Sequence, residues 1–293
     1  MCMDVLESIV EPRVKSGEKV LFVLFDGLSY TEAIILKKEL EARQLKLTIK
    51  PYLSLVPSIT IYARNAIFSG MTPRRIEETW GSQALESNRK ERDMLREYFR
   101  QDGVAVRYEN YGNLSAHADE LRQILKGKYT LVACVVRLVD IILSQAPSGE
   151  FSKKDAHGFF SSAVKGIVDL VEEVVQSGWL VIIGSDHGNI DTEEPIEVKM
   201  TDEIVDRELR GHSRYFAVSK VNRKWVENAL AHKLSLCIDN PEAWELPASL
   251  NTRATFVAID PFRFSRRRSD VTIATHGGIS LDEMVIPIIE VRK

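Results

Sequence analysis

Three stretches of this chain are apolar with hardly a break, and each ends in a polar motif. Residues 19–25 (KVLFVLF) run into Asp26-Gly27, 128–139 into Asp140, and 179–184 (WLVIIG) into Ser185-Asp186-His187-Gly188. A run of this kind does not alternate a wet face with a dry one. It reads as a strand covered on both faces, the condition of a parallel sheet with helices above and below.

The intervening segments fit that reading. Residues 3–16, 30–43, 60–68, 88–101, 115–125 and 155–177 carry helical spacing, and 45–55 and 104–108 read as further strands. Alternation of strand and helix predicts an α/β fold with a doubly wound, mostly parallel sheet. From 189 to about 270 the pattern turns polar and charged, with short β-like pieces at 213–219 and 255–259 and a helix near 222–234. This region reads as an insertion or cap over the site. The chain returns to the core through 271–275 and a final strand at 283–291, so residues 1–293 are expected to form one domain with an insertion at about 189–270.

With 44% apolar and 28% charged residues and a net charge of −3, the chain has a globular composition and no uniform basic coat for nucleic acid; a local basic patch remains compatible. Its three cysteines, Cys2, Cys134 and Cys237, show no CxxC spacing and read as inert thiols of a reducing compartment. No secretory signal and no run of the roughly 20 apolar residues needed to span a membrane is present. A cytoplasmic protein is expected.

In an open α/β sheet, ligands gather at the carboxyl ends of strands. Asp26 and Asp186-His187 both follow buried strands, and His276 precedes the pair Gly277-Gly278 before the final strand. Two Asp and two His suit zinc or a similar divalent metal. The competing reading of Asp26 is a helix N-cap for 30–43, and of Asp186-His187 a polar turn. Thr60 stands at an expected helix start after Pro57, where backbone N–H groups favour a phosphate. Ser58 is the competing hydroxyl, and spacing alone does not choose between them. Arg64, one turn on, would reach back toward a bound phosphate or sit on the surface as a solvated cation. Asp140 is a further strand-end carboxylate. His157, His212 and Arg214 are weaker candidates, the last two as cap residues that would touch substrate, and Arg266, Arg267 and Arg268 read as a solvated loop or as a hold on a polyanion.

Taken together, FDGLS at 25–29, VPSITIYARNAIFSGMTP at 56–73, GSDHG at 184–188 and THGGISLDEMVIPI at 275–288 resemble the alkaline phosphatase superfamily. Within it they look most like the PglZ domain of BREX-type phage-defence systems. The resemblance implies an alkaline-phosphatase-like core. It implies one metal site from Asp26, Thr60, Asp186 and His187, with Thr60 as nucleophile; Thr60 stands ten residues before Gly70, as in related nucleotide pyrophosphatases and phosphodiesterases, which favours it over Ser58. Asp140 and His276 would serve a second site. The superfamily often carries a His four residues after that Asp, and here the position is Ser144, so one ligand is missing unless His157 or water replaces it.

The expected cofactor is one or two divalent ions, zinc first, with manganese or magnesium as alternatives. The expected activity is a metal-dependent phosphohydrolase, a phosphodiesterase acting on nucleotides or nucleic acid, with other defence proteins as partners. The rival expectation is a catalytically weak scaffold subunit. A sulfatase is disfavoured, because Thr60 cannot supply formylglycine.

Overall fold

The computed structural model describes residues 1–144, 153–192, 194–197, 214–230, 233–265 and 273–293. Its strands are β1 (Val20–Phe25), β2 (Lys46–Leu53), β3 (Val106–Tyr111), β4 (Leu131–Val136), β5 (Leu180–Ser185), β6 (Ile190–Thr192), β7 (Glu194–Glu197), β8 (Tyr215–Ser219), β9 (Ser235–Ile238), β10 (Arg253–Ala258), β11 (Phe262–Ser265), β12 (Ile273–Thr275) and β13 (Val285–Arg292).

Six of them form the main sheet, in the order β2-β13-β5-β1-β4-β3. β1 runs parallel to β4 and β5, and β4 parallel to β3. β13 alone runs antiparallel, to both β5 and β2. The sheet is thus mostly parallel, as the apolar runs require. Its central strands are buried on both faces: Val20, Phe22 and Leu24 enter one apolar cluster, and Leu21, Val23 and Phe25 the other. The helices Tyr30–Ala42 and Lys153–Gln176 cover the second face, and Thr60–Ser69 and Glu91–Tyr98 the first.

Register decides where the polar motifs emerge. Phe25 pairs with Ser185 on one side and Val136 on the other. Asp26 and Asp186 therefore leave neighbouring strands at the same level.

Two expectations are corrected here. The apolar stretch 128–140 is not one strand. β4 stops at Val136, and Asp140 lies in the first turn of the helix Leu138–Ser144. Apolar continuity through LVDII fits a strand and a buried helix equally, so periodicity could not separate them. The final strand also begins later than 283, because Leu281–Met284 is a helical turn opened by a Ser280/Glu283 capping box.

The segments between β5 and β13 build a three-stranded sheet, β8-β10-β9, and two small pairs, β11-β7 and β12-β6. Phe216, Phe256, Phe262 and Phe264 form its own cluster, while Ala217, Ile238 and Val257 join the cluster on the Thr60 face of the main sheet. Arg266, Arg267, Arg268 and His212 lie outside the described residues. No described helix is long and apolar enough to cross a membrane.

Candidate active site

Asp26, Asp186 and His187 are brought together at the carboxyl ends of β1 and β5. One ligand atom from each lies within 4.8 Å of the others, and all three side chains are buried. Asp186 Oδ1 accepts from the backbone N–H groups of Gly27 and His187, each at 3.0 Å. Its Oδ2 is buried with no hydrogen-bond partner. A buried carboxylate oxygen left so is costly unless something else meets it. His187 Nδ1 lies 2.9 Å from the Gly188 carbonyl, which can only accept, so Nδ1 carries a proton and Nε2 faces the two carboxylates. Nε2 is 3.5 Å from Asp26 and 3.6 Å from Asp186 Oδ2. This donor set, two carboxylates and an imidazole Nε2 with an orphaned oxygen among them, fits a divalent cation such as zinc.

Electrostatics sharpen the fit. Burial pushes the Asp186 carboxyl up to about 7, against the pull of His187. Burial would lower the His187 imidazole, but the Asp186 charge and the Asp26 hydrogen bond outweigh it and raise it to about 9. Burial also works against the charged form of Asp26; His187 and the Arg64 charge overcome it and hold that carboxyl below its ordinary value. A proton on His187 Nε2 therefore stands where a cation would bind.

Thr60 opens the helix Thr60–Ser69 and adds its hydroxyl to this group. Its Oγ1 is 2.9 Å from His187 Nε2 and 3.4 Å from Asp26 Oδ1. The competing hydroxyl is committed elsewhere. Ser58 Oγ donates to the Gly278 carbonyl at 2.9 Å and accepts from Gly277 N–H at 3.2 Å, fastening the His276 loop.

Arg64 does not reach toward an open phosphate position in this arrangement. It is buried; Nη1 donates to Asp26 Oδ2 at 2.6 Å and Nε to Glu91 Oε1 at 2.7 Å. Glu91 in turn accepts from the Tyr108 hydroxyl. The sequence reading missed Glu91, since one acid within the charged run NRKER looks solvated. Its only signal was position: a helix face shared with Met94 and Leu95, which are buried.

His276 stacks on His187, ring centroids 3.8 Å apart at 16°. Its Nδ1 donates to the Ser58 carbonyl at 3.1 Å, and burial with the His187 charge pushes it down to about 3. Asp140, on its helix, is near enough for the Asp26 charge, after burial, to raise its pKa. Neither joins the three-residue group. The backbone of Ser144 and His157 lies in helices, and their side chains are outside the described set.

Arg214 was expected to touch substrate, and the structure places it otherwise. It is fully buried, pairs with Glu283 through Nε at 2.8 Å and Nη2 at 3.0 Å, and donates to the carbonyls of Ala258, Asp260 and Phe262. Glu283 also accepts from Gly278 N–H at 2.7 Å and from Ser280. Arg214 thus ties the small sheet to the loop behind His276. Glu283 reads from the sequence as the start of a strand; the Ser-x-x-Glu spacing of a capping box is the signal that could have placed it.

The chain belongs to the family described as the BREX system PglZ alkaline phosphatase-like domain, whose match spans residues 5–291. No curated protein sequence matches it. Among solved structures it is similar to human ectonucleotide pyrophosphatase/phosphodiesterase 5 (15% identity, TM-score 0.61, covering 94% of this chain and 88% of that one). The murine protein in an inactive variant complexed with AMP matches at 14% identity and TM-score 0.61, with the same coverage. Phosphonoacetate hydrolase from Sinorhizobium meliloti matches at 12% identity and TM-score 0.58, covering 93% and 90%. At these identities the likeness establishes the alkaline-phosphatase-like fold.

Proposed function

We propose that this PglZ-family chain is a metal-dependent phosphodiesterase that attacks phosphorus with Thr60 Oγ1 and acts on nucleotides or nucleic acid in anti-phage defence. The observation that carries the reading is the placement of Thr60 Oγ1, 2.9 Å from His187 Nε2 within a buried group that leaves Asp186 Oδ2 unmet. The inactive murine ectonucleotidase variant carries a Thr→Ala substitution, which supports a Thr nucleophile, and its bound AMP supports a nucleotide-type ester.

Asp26, Asp186 and His187 would hold the cation; bound there, it would supply the Lewis acidity that makes the Thr60 hydroxyl a nucleophile near neutral pH. The chain's own residues do the rest. Gly188 fixes the His187 tautomer, and Arg64 holds the Asp26 carboxylate. Thr60 Oγ1 forms a bond to phosphorus as the bond to the leaving alcohol breaks, and water then hydrolyses the phosphothreonine.

Hydrolysis of bis-p-nitrophenyl phosphate, with zinc or manganese added, tests this. Wild type should turn over only with metal, and Thr60→Ala should lose the rate by on the order of a thousandfold or more. Full activity in Thr60→Ala would remove Thr60 from the chemistry. A second reading, a scaffold subunit among defence proteins, draws on Asp140 and His276 standing outside the metal-ligand group. It expects metal binding with no turnover on any ester.

A further inference from the structure

The segment after the helix Pro73–Trp80 sends its residues in opposite directions. Glu91 turns inward and is fully buried on Arg64 and Tyr108, while Arg89, Lys90 and Arg92 are exposed. The exposed side is a shallow depression open to solvent. Asn88, Arg89 and Arg92 form one wall of a groove of about 610 Å³, and Tyr108, Glu109 and Asn110 of β3 form the other. Glu109 is paired with Arg107, and Arg92 Nε donates to the adjacent Asp93 at 3.3 Å in an exposed pair that a phosphate would compete with. The Asn88 carboxamide oxygen is buried in this wall with no hydrogen-bond partner, an acceptor that a ligand's N–H could satisfy.

Topology fixes the groove relative to the candidate active site. Asn110 pairs with Val135 near the carboxyl end of β4, and Phe25, which precedes Asp26, pairs with Val136. The sheet order β1-β4-β3 therefore sets the groove two strands from Asp26 along the same carboxyl edge, roughly 10 Å at ordinary strand spacing. The link is also direct: Asp26 to Arg64 at 2.6 Å, then Arg64 to Glu91 at 2.7 Å. One residue of the segment is thus anchored to a candidate metal ligand while its neighbours line the groove.

We infer that this groove is an accessory phosphate subsite, in which Arg89 and Arg92 hold a backbone phosphate of a single-stranded nucleic acid whose scissile phosphate lies at Thr60. The inference rests on the phosphodiesterase reading and names the substrate class of that site. The spacing selects the class. Adjacent phosphates of a nucleoside polyphosphate share an oxygen and sit too close together to occupy both places, whereas an extended strand carries its phosphates at wider intervals. Basic side chains beside polar amides suit a strand's backbone and base edges. The groove also supplies the local positive charge that the overall balance of −3 does not.

Binding is measured on the full chain with Thr60→Ala and a chelator present, so that the readout needs neither metal nor turnover. The probe is a short fluorescein-labelled oligothymidylate, followed by anisotropy across a salt series. Adding Arg89→Ala with Arg92→Ala should weaken binding at least ~10-fold at low salt. It should also flatten the salt slope by about 0.7, the value for one phosphate on a single strand. A thermal melt confirms that the variant is folded, and Arg89→Lys with Arg92→Lys should restore most of the slope. Unchanged affinity and slope in the alanine variant overturn the subsite. Competition by ATP as effective as unlabelled oligonucleotide, phosphate for phosphate, also overturns it, since the groove would then take nucleoside polyphosphates. Hydrolysis of bis-p-nitrophenyl phosphate by wild type is scored separately. If that fails while the arginine-dependent binding holds, the catalytic reading falls and the groove stands as a nucleic-acid site.

Discussion

Arg64 and Glu91 form a buried ion pair, Nε to Oε1 at 2.7 Å, and the far side of the same guanidinium holds Asp26. One cation therefore serves two carboxylates taken out of water. Arg64 is the member the other two depend on, because removing it leaves two buried carboxylates without this cation.

Arg64→Met is expected to lower unfolding free energy by about 3–5 kcal/mol, since Asp26 and Glu91 are then buried without their cation. Glu91→Gln keeps the shape and leaves Arg64 paired with Asp26, so its cost should be smaller, about 1–3 kcal/mol. Urea unfolding of both variants checks the order; an Arg64→Met protein as stable as wild type would show that Asp26 does not depend on this pair.

The two hydroxyls of the VPSIT segment should separate cleanly. Ser58→Ala loses the clasp on Gly277 and Gly278 and should cost about 1–2 kcal/mol of stability. Diester hydrolysis should survive in it. Thr60→Ala should keep the fold and lose hydrolysis. A steady-state assay beside a thermal melt reads both, and a reversal of the pattern would make Ser58 the nucleophile.

Metal uptake should rise with pH. Asp186 is raised to about 7 and His187 to about 9 in the metal-free chain, and a cation must displace both protons. Calorimetric titration with zinc should give weak binding at pH 6, stronger binding at pH 8, and net proton release in buffers of different ionisation enthalpy. The sign for stability follows from His187. Its folded pKa is raised above the usual 6.5, so its contribution is complete below about 6.5 and is lost as pH rises through 9. Chelated protein should lose melting temperature across that window, and zinc should restore it. Equal zinc affinity at both pH values would contradict these ligand assignments.

Gly188 is expected to tolerate no side chain. A Cβ there would run into the Asp282 carbonyl, and Gly188 N–H donates to the Glu283 carbonyl at 2.9 Å. Gly188→Ala must push the His187 turn away from the helix Leu281–Met284, at a cost of about 1–3 kcal/mol. Zinc affinity should fall with it, because His187 moves. Glu283→Ala should cost about 3–5 kcal/mol by stranding the buried Arg214. Melts and zinc titrations of the two variants check these outcomes.

The strand ends were legible from the chain alone. Runs such as VLFVLF and LVIIG are apolar throughout and bounded by polar turns, the pattern of a short strand covered on both faces, so Asp26 and Asp186-His187 were expected at strand ends. The apolar pattern reads the turn at Leu281–Met284 into the start of the last strand, although the Ser280/Glu283 spacing of a capping box stands in the chain. The sequence determined which local elements form, because periodicity and capping act within a few residues. What each charged group faces was decided by tertiary structure. Arg64 meets Asp26 across 38 positions, and Arg214 meets Glu283 across 69. Asp140 belongs to a helix whose apolar pattern also fitted a strand. The reason is physical: a buried charge must find its counter-charge through strand order and helix packing, and no local pattern encodes that partner.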